Sequence, residues 1–484
     1  MKNKVTKNYL YNFAYQILAF ITPIIISPFL ARTLGSESMG INTYTYSIVY
    51  WFILFGMMGI SIYGGKEVAK VSDDKKKLSK KFSEIFSLQV INLCLASIIF
   101  YIIFTAFDFQ YKNAFLLQGL MIISYVFDIS WLYNGLENFR KITTRNFIVK
   151  ILTVLLILLL IKKPSQYLLY IGISIGMSFF SNLVMWINVR KYIDFQLPTI
   201  KGVYSHLKET IILFLPQIAT TVYSMFDQTM IGWFYDDISE VTFYSQAHKF
   251  VNMFLFVTTT IGTVMLPRIV KTRAQEGDDK VKSLTNKTLK IALFLSFPIS
   301  LGILSVSTYF IPWFLTEEFT KVGYIMAILS PVIIFVSVTN VFGTQYMIST
   351  DKYKHYTLSV TIGCIINLIL NALTIPKFGA YGAAIATVFT ELFVLIYQYI
   401  VIRKEFDFSG IKKIVFKYLF CSLIMAVVVI FIGEELRANL ICNIIQVIVG
   451  ALIYLGILFL NKDETLRFFI DKVLSLLHIK KGEE

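Results

Sequence analysis

Apolar runs of about 20 residues recur from one end of this 484-residue chain to the other. A helix of roughly 20 residues is long enough to cross the hydrocarbon core of a bilayer. Strands of a membrane barrel would instead alternate apolar and polar residues over about ten positions. The sequence therefore predicts an all-α polytopic membrane protein with about fourteen transmembrane helices, and the predicted spans are residues 9–31, 41–62, 84–106, 114–134, 147–161, 168–188, 209–233, 243–266, 289–311, 323–346, 357–375, 380–402, 414–432 and 440–460.

The distribution of lysine and arginine predicts the orientation of these spans. The segments that would lie on one side of the membrane carry 37 of the 45 Lys and Arg residues, and this excess alternates along the chain. Such segments are normally cytoplasmic, so both termini are expected in the cytoplasm. The net charge of +15 then reflects this bias and attraction to anionic membrane lipids, without any nucleic-acid partner.

The sequence shows no pattern typical of an enzyme. The predicted outer loops are all short, the inner loops are too small for an ATPase domain, and no phosphate-binding loop motif is present. The four histidines and four cysteines do not occur at metal-ligand spacing. We therefore expect no catalytic site, cofactor or metal, and transport energy from an ion gradient, the membrane potential or the substrate gradient.

One acidic residue, Asp227, lies inside the predicted seventh span. A carboxylate near the middle of a span costs about 2.5–3.5 kcal/mol on insertion scales, so it is expected to face the bundle interior or a water-filled cavity. Helical spacing places Gln217, Thr221, Ser224 and Gln228 in one polar stripe that Asp227 borders.

The predicted eighth span begins with "YSQAHKF" (244–250), which contains Tyr244 and Lys249. Opposite charges at Asp227 and Lys249 allow two interpretations. One is a structural ion pair that joins two helices. The other is a polar cavity with a cationic centre, and the length of the polar stripe favours it because a single ion pair requires less.

Other polar residues extend the candidate cavity. Asn12 lies on a polar face of the first span, and Arg32 lies at the outer end of that span. Asp128 and Glu391 lie within the fourth and twelfth spans, where an isolated acid is either structural or involved in ion coupling.

A weak internal repeat predicts the domain organisation. Spans one and two and spans seven and eight share the same order of a polar helix, a short outer loop, a Tyr-rich helix start and a basic inner segment. We predict an N-terminal six-helix lobe (1–200) and a C-terminal six-helix lobe (201–405) in parallel arrangement around a central cavity. Two further spans (406–460) and an amphipathic cytoplasmic tail (461–484) would follow.

Several segments resemble one family of transporters when they are taken in order. These are "LARTLGSESMGINTYTYS" with "GISIYGGKEVAK", then "FDISWLYNGLENFRKITTRN" (127–146), then "FDQTMIG" (226–232) with "YSQAHK". Together they are similar to polysaccharide transporters, the Wzx-type flippases for lipid-linked oligosaccharides and O-antigen. This family is part of the multidrug/oligosaccharidyl-lipid/polysaccharide exporter superfamily, and the resemblance covers essentially the whole chain.

The resemblance implies a flippase of the bacterial cytoplasmic membrane. Its substrate would be an undecaprenyl-pyrophosphate-linked oligosaccharide, moved to the outer leaflet by alternating access for capsule, O-antigen or another surface glycan. Polysaccharide polymerase and glycosyltransferases would be its functional partners. A cation-coupled multidrug antiporter of the same superfamily is the alternative, in which acids would dominate the charge of the cavity.

The resemblance also suggests roles for the polar residues. Lys249 and Arg32 would attract the pyrophosphate, while the polar stripe, Tyr244 and Asn12 would contact sugars. Asp227 would be the counter-charge of Lys249. Alternatively, a coupling H⁺ or Na⁺ would bind at a carboxylate, and the candidates are Asp227, Asp128 and Glu391.

Overall fold

The computed structural model describes residues 18, 20–405 and 408–479. These residues form helices joined by short connections, and none of them forms a strand. The helices are α1 (Phe20–Thr33), α2 (Gly35–Met57), α3 (Ile60–Lys70), α4 (Lys75–Ala106), α5 (Lys112–Val126), α6 (Ser130–Gly135), α7 (Phe139–Leu160), α8 (Tyr167–Val184), α9 (Ile200–Tyr204), α10 (Leu207–Phe234), α11 (Ser239–Glu276), α12 (Asp278–Phe314), α13 (Thr320–Leu329), α14 (Pro331–Thr339), α15 (Tyr353–Phe378), α16 (Ala380–Ile402), α17 (Ser409–Leu436), α18 (Leu440–Leu460) and α19 (Glu464–Ile479). The predicted all-α polytopic fold is confirmed.

Eleven helical segments of the described chain are long and apolar enough to cross a membrane. The bent pair Glu317–Leu329 and Pro331–Met347 raises the number to 12 if it is one span. The predicted count of about fourteen is not confirmed. At the first and seventh predicted spans the structure has α1 and α10, which are not among the 11.

Contacts divide the chain into unit 1 (Met1–Thr242) and unit 2 (Phe243–Glu484). This division rests on packing. The domain boundaries of the sequence analysis were instead predicted from a repeat and from hydropathy, and they are 1–200 and 201–405 for the lobes, 406–460 for the additional spans and 461–484 for the tail. Those boundaries stay a prediction. The two units are described separately below.

In unit 1, α2 is the central helix and packs against α4, α5, α8 and α10. Aromatic side chains fill the space between α2, α4 and α5, where the Phe52 and Phe100 rings meet edge to face at 5.1 Å. By contrast, Ile157 is the single buried residue of α7. Helix α7 therefore lies at the periphery of unit 1, where its apolar surface suits contact with lipid.

The second predicted span is broken between α2 and α3. Met58 and Gly59 both have positive φ, at 41° and 77°. Gly59 also lies against α10, because a Cβ atom on this residue would be 2.6 Å from the Thr210 carbonyl oxygen. Glycine thus permits both the turn and the close approach of two backbones.

In unit 2, α12 is the central helix and packs against α13, α14, α17 and α18. Its core combines aliphatic side chains with aromatic ones, and the Tyr454 hydroxyl on α18 donates a 2.8 Å hydrogen bond to the Phe294 carbonyl of α12. Small residues allow neighbouring helices to approach closely, as at Gly323, where a Cβ would be 2.8 Å from the Ser307 carbonyl oxygen. Residues Asn340–Met347, which follow α14, form a π-helix.

The predicted spans 357–375 and 380–402 are present as α15 and α16 despite the short distance between them. Gly379 connects the two helices with a φ of 55°. Gly382 then brings α16 against α15, and the Thr374 hydroxyl donates a 3.0 Å hydrogen bond to the Gly382 carbonyl. Gly379 and Gly382 therefore allow α15 and α16 to be connected without a longer loop.

The helices extend beyond the predicted spans into the basic segments between them. Residues 71–74 are all that separates α3 from α4. Asp74 caps α4 by accepting 3.1 Å hydrogen bonds from the Lys76 and Lys77 amides. The Lys77 backbone N–H lowers the pKa of the Asp74 carboxyl, which stays ionised at the positive end of the helix dipole.

The tail forms the predicted helix, α19, which packs against α12 and α18. Buried Asp463 caps its first turn by accepting hydrogen bonds of 2.9 Å from the Thr465 and Leu466 amides. The same carboxylate forms an ion pair with Lys417 and lies 3.3 Å from the Tyr418 hydroxyl on α17. Asp463 therefore attaches the tail to unit 2.

Replacing Asp463 with alanine is expected to detach α19, because it removes the cap and the partner of Lys417 together. Loss of a helix cap alone costs about 0.5–2 kcal/mol. Limited proteolysis of the purified protein should cleave the tail faster in Asp463→Ala than in wild type. The exposed Asp471 of the same helix provides the matched control Asp471→Ala. Equal cleavage rates in the two variants would contradict this role.

Candidate functional site

Helix α10 packs on α2 through one side of its C-terminal half. The Phe226 ring meets the Trp51 indole edge to face at 5.3 Å. The Thr229 hydroxyl lies 2.9 Å from Ser47 Oγ and accepts a 3.3 Å hydrogen bond from the Trp51 indole. These contacts fix the rotation of α10 about its axis.

The predicted polar stripe lies next to the side of α10 that meets α2. At about 100° per residue, Gln217, Thr221 and Gln228 share one side of the helix, roughly a third of a turn away from Phe226 and Thr229. The Thr221 side chain is buried, and those of Gln217 and Gln228 are half-buried. Ser224 is on the same helix, but its side chain is outside the described residues. The stripe therefore borders the surface through which α10 packs on α2.

Asp227 lies at the flank of the stripe and is 2% exposed. Burial of this side chain agrees with the cost of leaving a carboxylate in lipid. Asp227 belongs to unit 1 and Lys249 to unit 2. Their pairing stays a prediction.

Gly232 allows α10 to approach α2, because a Cβ atom at this position would lie 2.2 Å from the Tyr44 ring. Gly232→Ala is therefore expected to displace α10 and lower the thermal midpoint of the purified protein. Overpacking of this kind costs about 1–3 kcal/mol. Gly172→Ala on α8 is the matched control, since a Cβ there meets no atom within 4 Å. An unchanged midpoint in Gly232→Ala would show that α10 is not held in this position.

The first predicted span contains two candidate residues, Asn12 and Arg32. Asn12 lies outside the described residues. Arg32 is exposed near the end of α1, and its Nη1 donates a 3.1 Å hydrogen bond to the Pro28 carbonyl. This position leaves Arg32 accessible to an anion.

Tyr244 and Lys249 lie near the beginning of α11 in different surroundings. Tyr244 is 1% exposed, and its hydroxyl lies 3.0 Å from the Thr387 hydroxyl of α16. Its ring stacks on His248 with a centroid separation of 5.7 Å. Tyr244 thus packs inside unit 2 and does not offer its ring to a sugar in this structure. Lys249 is exposed, and its Nζ lies 3.5 Å from Gln246 Oε1.

Asp128 builds a turn that divides the fourth predicted span into α5 and α6. Its carboxylate accepts a 2.9 Å hydrogen bond from the Ser130 amide and another from the Ser130 hydroxyl. Arg145 Nη1 donates to the same hydroxyl at 2.9 Å. Asp128 therefore has an evident structural function. Glu391 lies on α16 and is 7% exposed.

Helices α15 and α16 also bury uncharged polar residues that the sequence interpretation did not single out. Asn367 and Asn371 are buried on α15, where the Asn371 amide donates a 3.0 Å hydrogen bond to Asn367 Oδ1. Gln398 is buried on α16 and donates to the Ser359 hydroxyl at 3.1 Å. The i, i+4 spacing of two asparagines within an apolar run was the available signal. Glu391 and Gln398 are both buried and lie seven positions apart on α16, so this helix has a polar side within unit 2.

Comparison with known proteins identifies the family. The family model described as polysaccharide biosynthesis protein matches residues 5–273, which is more than half of the chain. The chain belongs to the polysaccharide biosynthesis protein family. A second family model, described as MatE, matches residues 213–373. The family recognised from the sequence motifs is thus confirmed.

Two curated relatives align along most of the chain. A candidate O-antigen transporter of Shigella dysenteriae is 22% identical over 397 residues, covering 81% of this chain and 98% of the relative. The capsular polysaccharide biosynthesis protein CapF of Staphylococcus aureus is 22% identical over 412 residues, covering 83% and 100%. The chain is a multi-pass membrane protein of this family.

A solved structure of the lipid II flippase MurJ, in an inward closed conformation, is similar along nearly all of the chain. The TM-score is 0.73 at 18% sequence identity, covering 95% of this chain and 99% of MurJ. The likeness at this identity concerns the fold.

Proposed function

We propose that this protein is a flippase for an undecaprenyl-pyrophosphate-linked oligosaccharide in cell-surface polysaccharide biosynthesis. The observation that carries the proposal is the alignment of a candidate O-antigen transporter and a capsular polysaccharide protein with about four-fifths of the chain and almost their entire length. The likeness to the fold of a lipid II flippase supports it, because lipid II is also a lipid-linked saccharide.

The charges of the candidate residues suit such a substrate. A pyrophosphate is anionic and favours fixed cations, which exposed Lys249 and Arg32 would provide. Sugars require hydrogen-bond partners, which Gln217, Thr221 and Gln228 would offer from one side of α10. An inside-negative potential would drive the anionic head group outward by about 2.3 kcal/mol per charge per 100 mV. Alternating access would expose these residues to each leaflet in turn.

Coupling to H⁺ or Na⁺ would involve a buried carboxylate. Asp128 is the weakest of the three candidates, because its carboxylate already caps α6 through Ser130. Asp227 and Glu391 are buried within long helices, where an ionisable group is costly unless it has a function or a partner. We therefore retain Asp227 and Glu391 as coupling candidates, with Asp227 also serving as the counter-charge of Lys249.

The distribution of positive charge supports a location in the bacterial cytoplasmic membrane with both termini in the cytoplasm. The exposed basic residues of the inner segments would contact anionic lipids, among them Lys76, Lys77 and Lys80 at the start of α4. Polysaccharide polymerase and glycosyltransferases would act next to the flippase, because they supply and consume its substrate.

Deletion of the gene in its native bacterium tests the proposal. Cells that lack the flippase should lose a surface polysaccharide and accumulate the lipid-linked oligosaccharide in a form inaccessible to enzymes added outside the cell. Expression of the wild-type chain should restore both properties. Unchanged surface polysaccharide and unchanged amounts of the lipid-linked precursor would contradict the proposal.

A cation-coupled multidrug antiporter is the second candidate, because the MatE model matches residues 213–373. Expression in a host that lacks its own drug exporters would distinguish the two functions. An antiporter should raise resistance to cationic dyes, whereas a flippase should leave it unchanged.

A further inference from the structure

Three buried titratable side chains meet where α10 begins. The His206 residue directly precedes α10, and its Nε2 lies 3.1 Å from Glu84 Oε2 on α4. Its Nδ1 lies 2.6 Å from the Tyr63 hydroxyl on α3. His206, Glu84 and Tyr63 are 1%, 4% and 4% exposed. The imidazole is therefore the link between α10 and two other helices of unit 1.

Charged groups surround this link on every helix that contributes to it. On α3, Glu67 forms an ion pair with Lys70 at 2.6 Å, and Lys81 on α4 lies 3.6 Å from the same carboxylate. Glu209 lies exposed in the first turn of α10 and acts electrostatically on Tyr63. With Glu84, three carboxylates face two ammonium groups. A neutral His206 leaves this group of charges at −1, and a protonated His206 brings it to zero.

Helix α9 closes the site over Glu84. A Cβ atom on Gly202 would lie 2.4 Å from Glu84 Oε1, so the helix backbone approaches the carboxylate directly. The absence of a side chain at Gly202 is what permits this contact. The carboxylate is consequently held away from water and next to the imidazole.

Both charge states of His206 can keep their hydrogen bonds in this geometry. A neutral imidazole donates from Nε2 to Glu84 and accepts at Nδ1 from the Tyr63 hydroxyl. A protonated imidazole donates from both nitrogens, and the Tyr63 hydroxyl turns to accept. The site can therefore bind a proton without disrupting its contacts.

We propose that His206, with Glu84 and Tyr63, is a proton-binding site that controls how firmly the start of α10 is attached to α3 and α4. Proton binding converts the hydrogen bond from a neutral imidazole to the Glu84 carboxylate into an ion pair, which adds the attraction of two opposite charges in a buried site. The attachment is thus strongest when His206 is protonated and weakens as the pH rises and the proton is lost. Because α10 carries the polar stripe, this site would make transport sensitive to pH on the Lys- and Arg-rich side.

Distances between two spin labels, measured by pulsed electron paramagnetic resonance, test how firmly the start of α10 is attached to α4 without any transport substrate. The labels would be placed at Lys80→Cys on α4 and Ile212→Cys on α10, both exposed positions, after replacement of the four native cysteines. We expect the wild-type distance distribution to be about twofold broader at pH 8 than at pH 5.5, since histidine is the side chain that ordinarily changes charge in this range. An identical distribution at both pH values would overturn the proposal.

Two variants assign the response to the site. His206→Gln retains a donor for Glu84 and an acceptor for Tyr63 but cannot bind the proton, so its distribution should not change with pH. Glu84→Gln should abolish the response by removing the carboxylate. His355→Gln, which alters an exposed histidine of α15, should keep the wild-type response. A wild-type response in His206→Gln would also overturn the proposal. Because the measurement uses no lipid-linked saccharide, its outcome is separate from that of the flippase proposal.

Discussion

Replacing Gln89 with leucine is expected to destabilise unit 1 by several kcal/mol. The Gln89 side chain is fully buried on α4, and its Nε2 lies 2.9 Å from the Tyr125 carbonyl, 3.2 Å from the Val126 carbonyl and 2.9 Å from the Asp128 carbonyl. Its Oε1 accepts a 2.9 Å hydrogen bond from the Trp131 indole. This one side-chain amide therefore provides a hydrogen-bond donor for the backbone carbonyls where α5 ends and α6 begins.

Leucine would fill a similar volume but leave those carbonyls and the indole N–H without this partner. Each buried polar group without a partner costs about 1–3 kcal/mol. Thermal unfolding of the purified protein, followed by tryptophan fluorescence, should show a clearly lower midpoint. Gln110→Leu, at an exposed position between α4 and α5, is the matched control and should leave the midpoint unchanged. Equal midpoints for the two variants would contradict the role of Gln89.

Replacing Lys249 with alanine is expected to lower the rate of lipid-linked oligosaccharide flipping by about 10–100-fold. The estimate corresponds to the loss of one charge-assisted hydrogen bond, which contributes about 1.5–3 kcal/mol. The Lys249 ammonium is exposed on α11, so its replacement should leave the core of unit 2 intact. Initial rates in proteoliposomes containing equal amounts of folded protein provide the measurement.

Lys249→Arg is the matched control for charge. Arginine keeps the positive charge and also binds phosphate groups, so this variant should retain most of the wild-type rate. If the alanine variant flips as fast as wild type, Lys249 has no role in binding the head group. If the arginine variant fails as completely as the alanine variant, positive charge alone does not explain the role of this residue.

Hydropathy predicted the type of fold and most of the spans because the apolar length needed to cross a bilayer is fixed by its thickness. Hydropathy did not predict where the helices end. The basic segment 66–82 was expected to be an inner loop, yet most of it is helical in α3 and α4. Lysine and arginine are good helix formers, so a helix that leaves the membrane can continue into water.

Hydropathy also did not predict the breaks within the spans. The turns at Met58–Gly59 and Asp128 and the π-helix at Asn340–Met347 all lie in segments that remain apolar on average. At the Asp128 turn the carbonyl has a side-chain partner distant in sequence, because Gln89 donates to it from 39 residues away. A single sequence does not reveal such partners.

The candidate site was predictable to the extent that buried charge is costly. That cost correctly predicted the burial of Asp227. It gave no indication that Tyr244 would pack against Thr387, which lies 143 residues away. Glu84 and His206 are 122 residues apart; Glu84 is the first residue of a predicted span and His206 occurs in a predicted inner segment, and a charged side chain is ordinary at both places. Tertiary packing alone turns them into a buried pair.

Reconstituted flipping tests the central claim most directly. Wild-type protein would be incorporated into liposomes with a fluorescently labelled undecaprenyl-pyrophosphate oligosaccharide, and exposure of the label to an external quencher would be followed with and without an imposed potential. The account predicts exposure that depends on the protein and is faster when the potential drives anions toward the quencher. Transport of cationic dyes by the same protein, with the lipid-linked oligosaccharide left in place, would contradict the account and favour the antiporter.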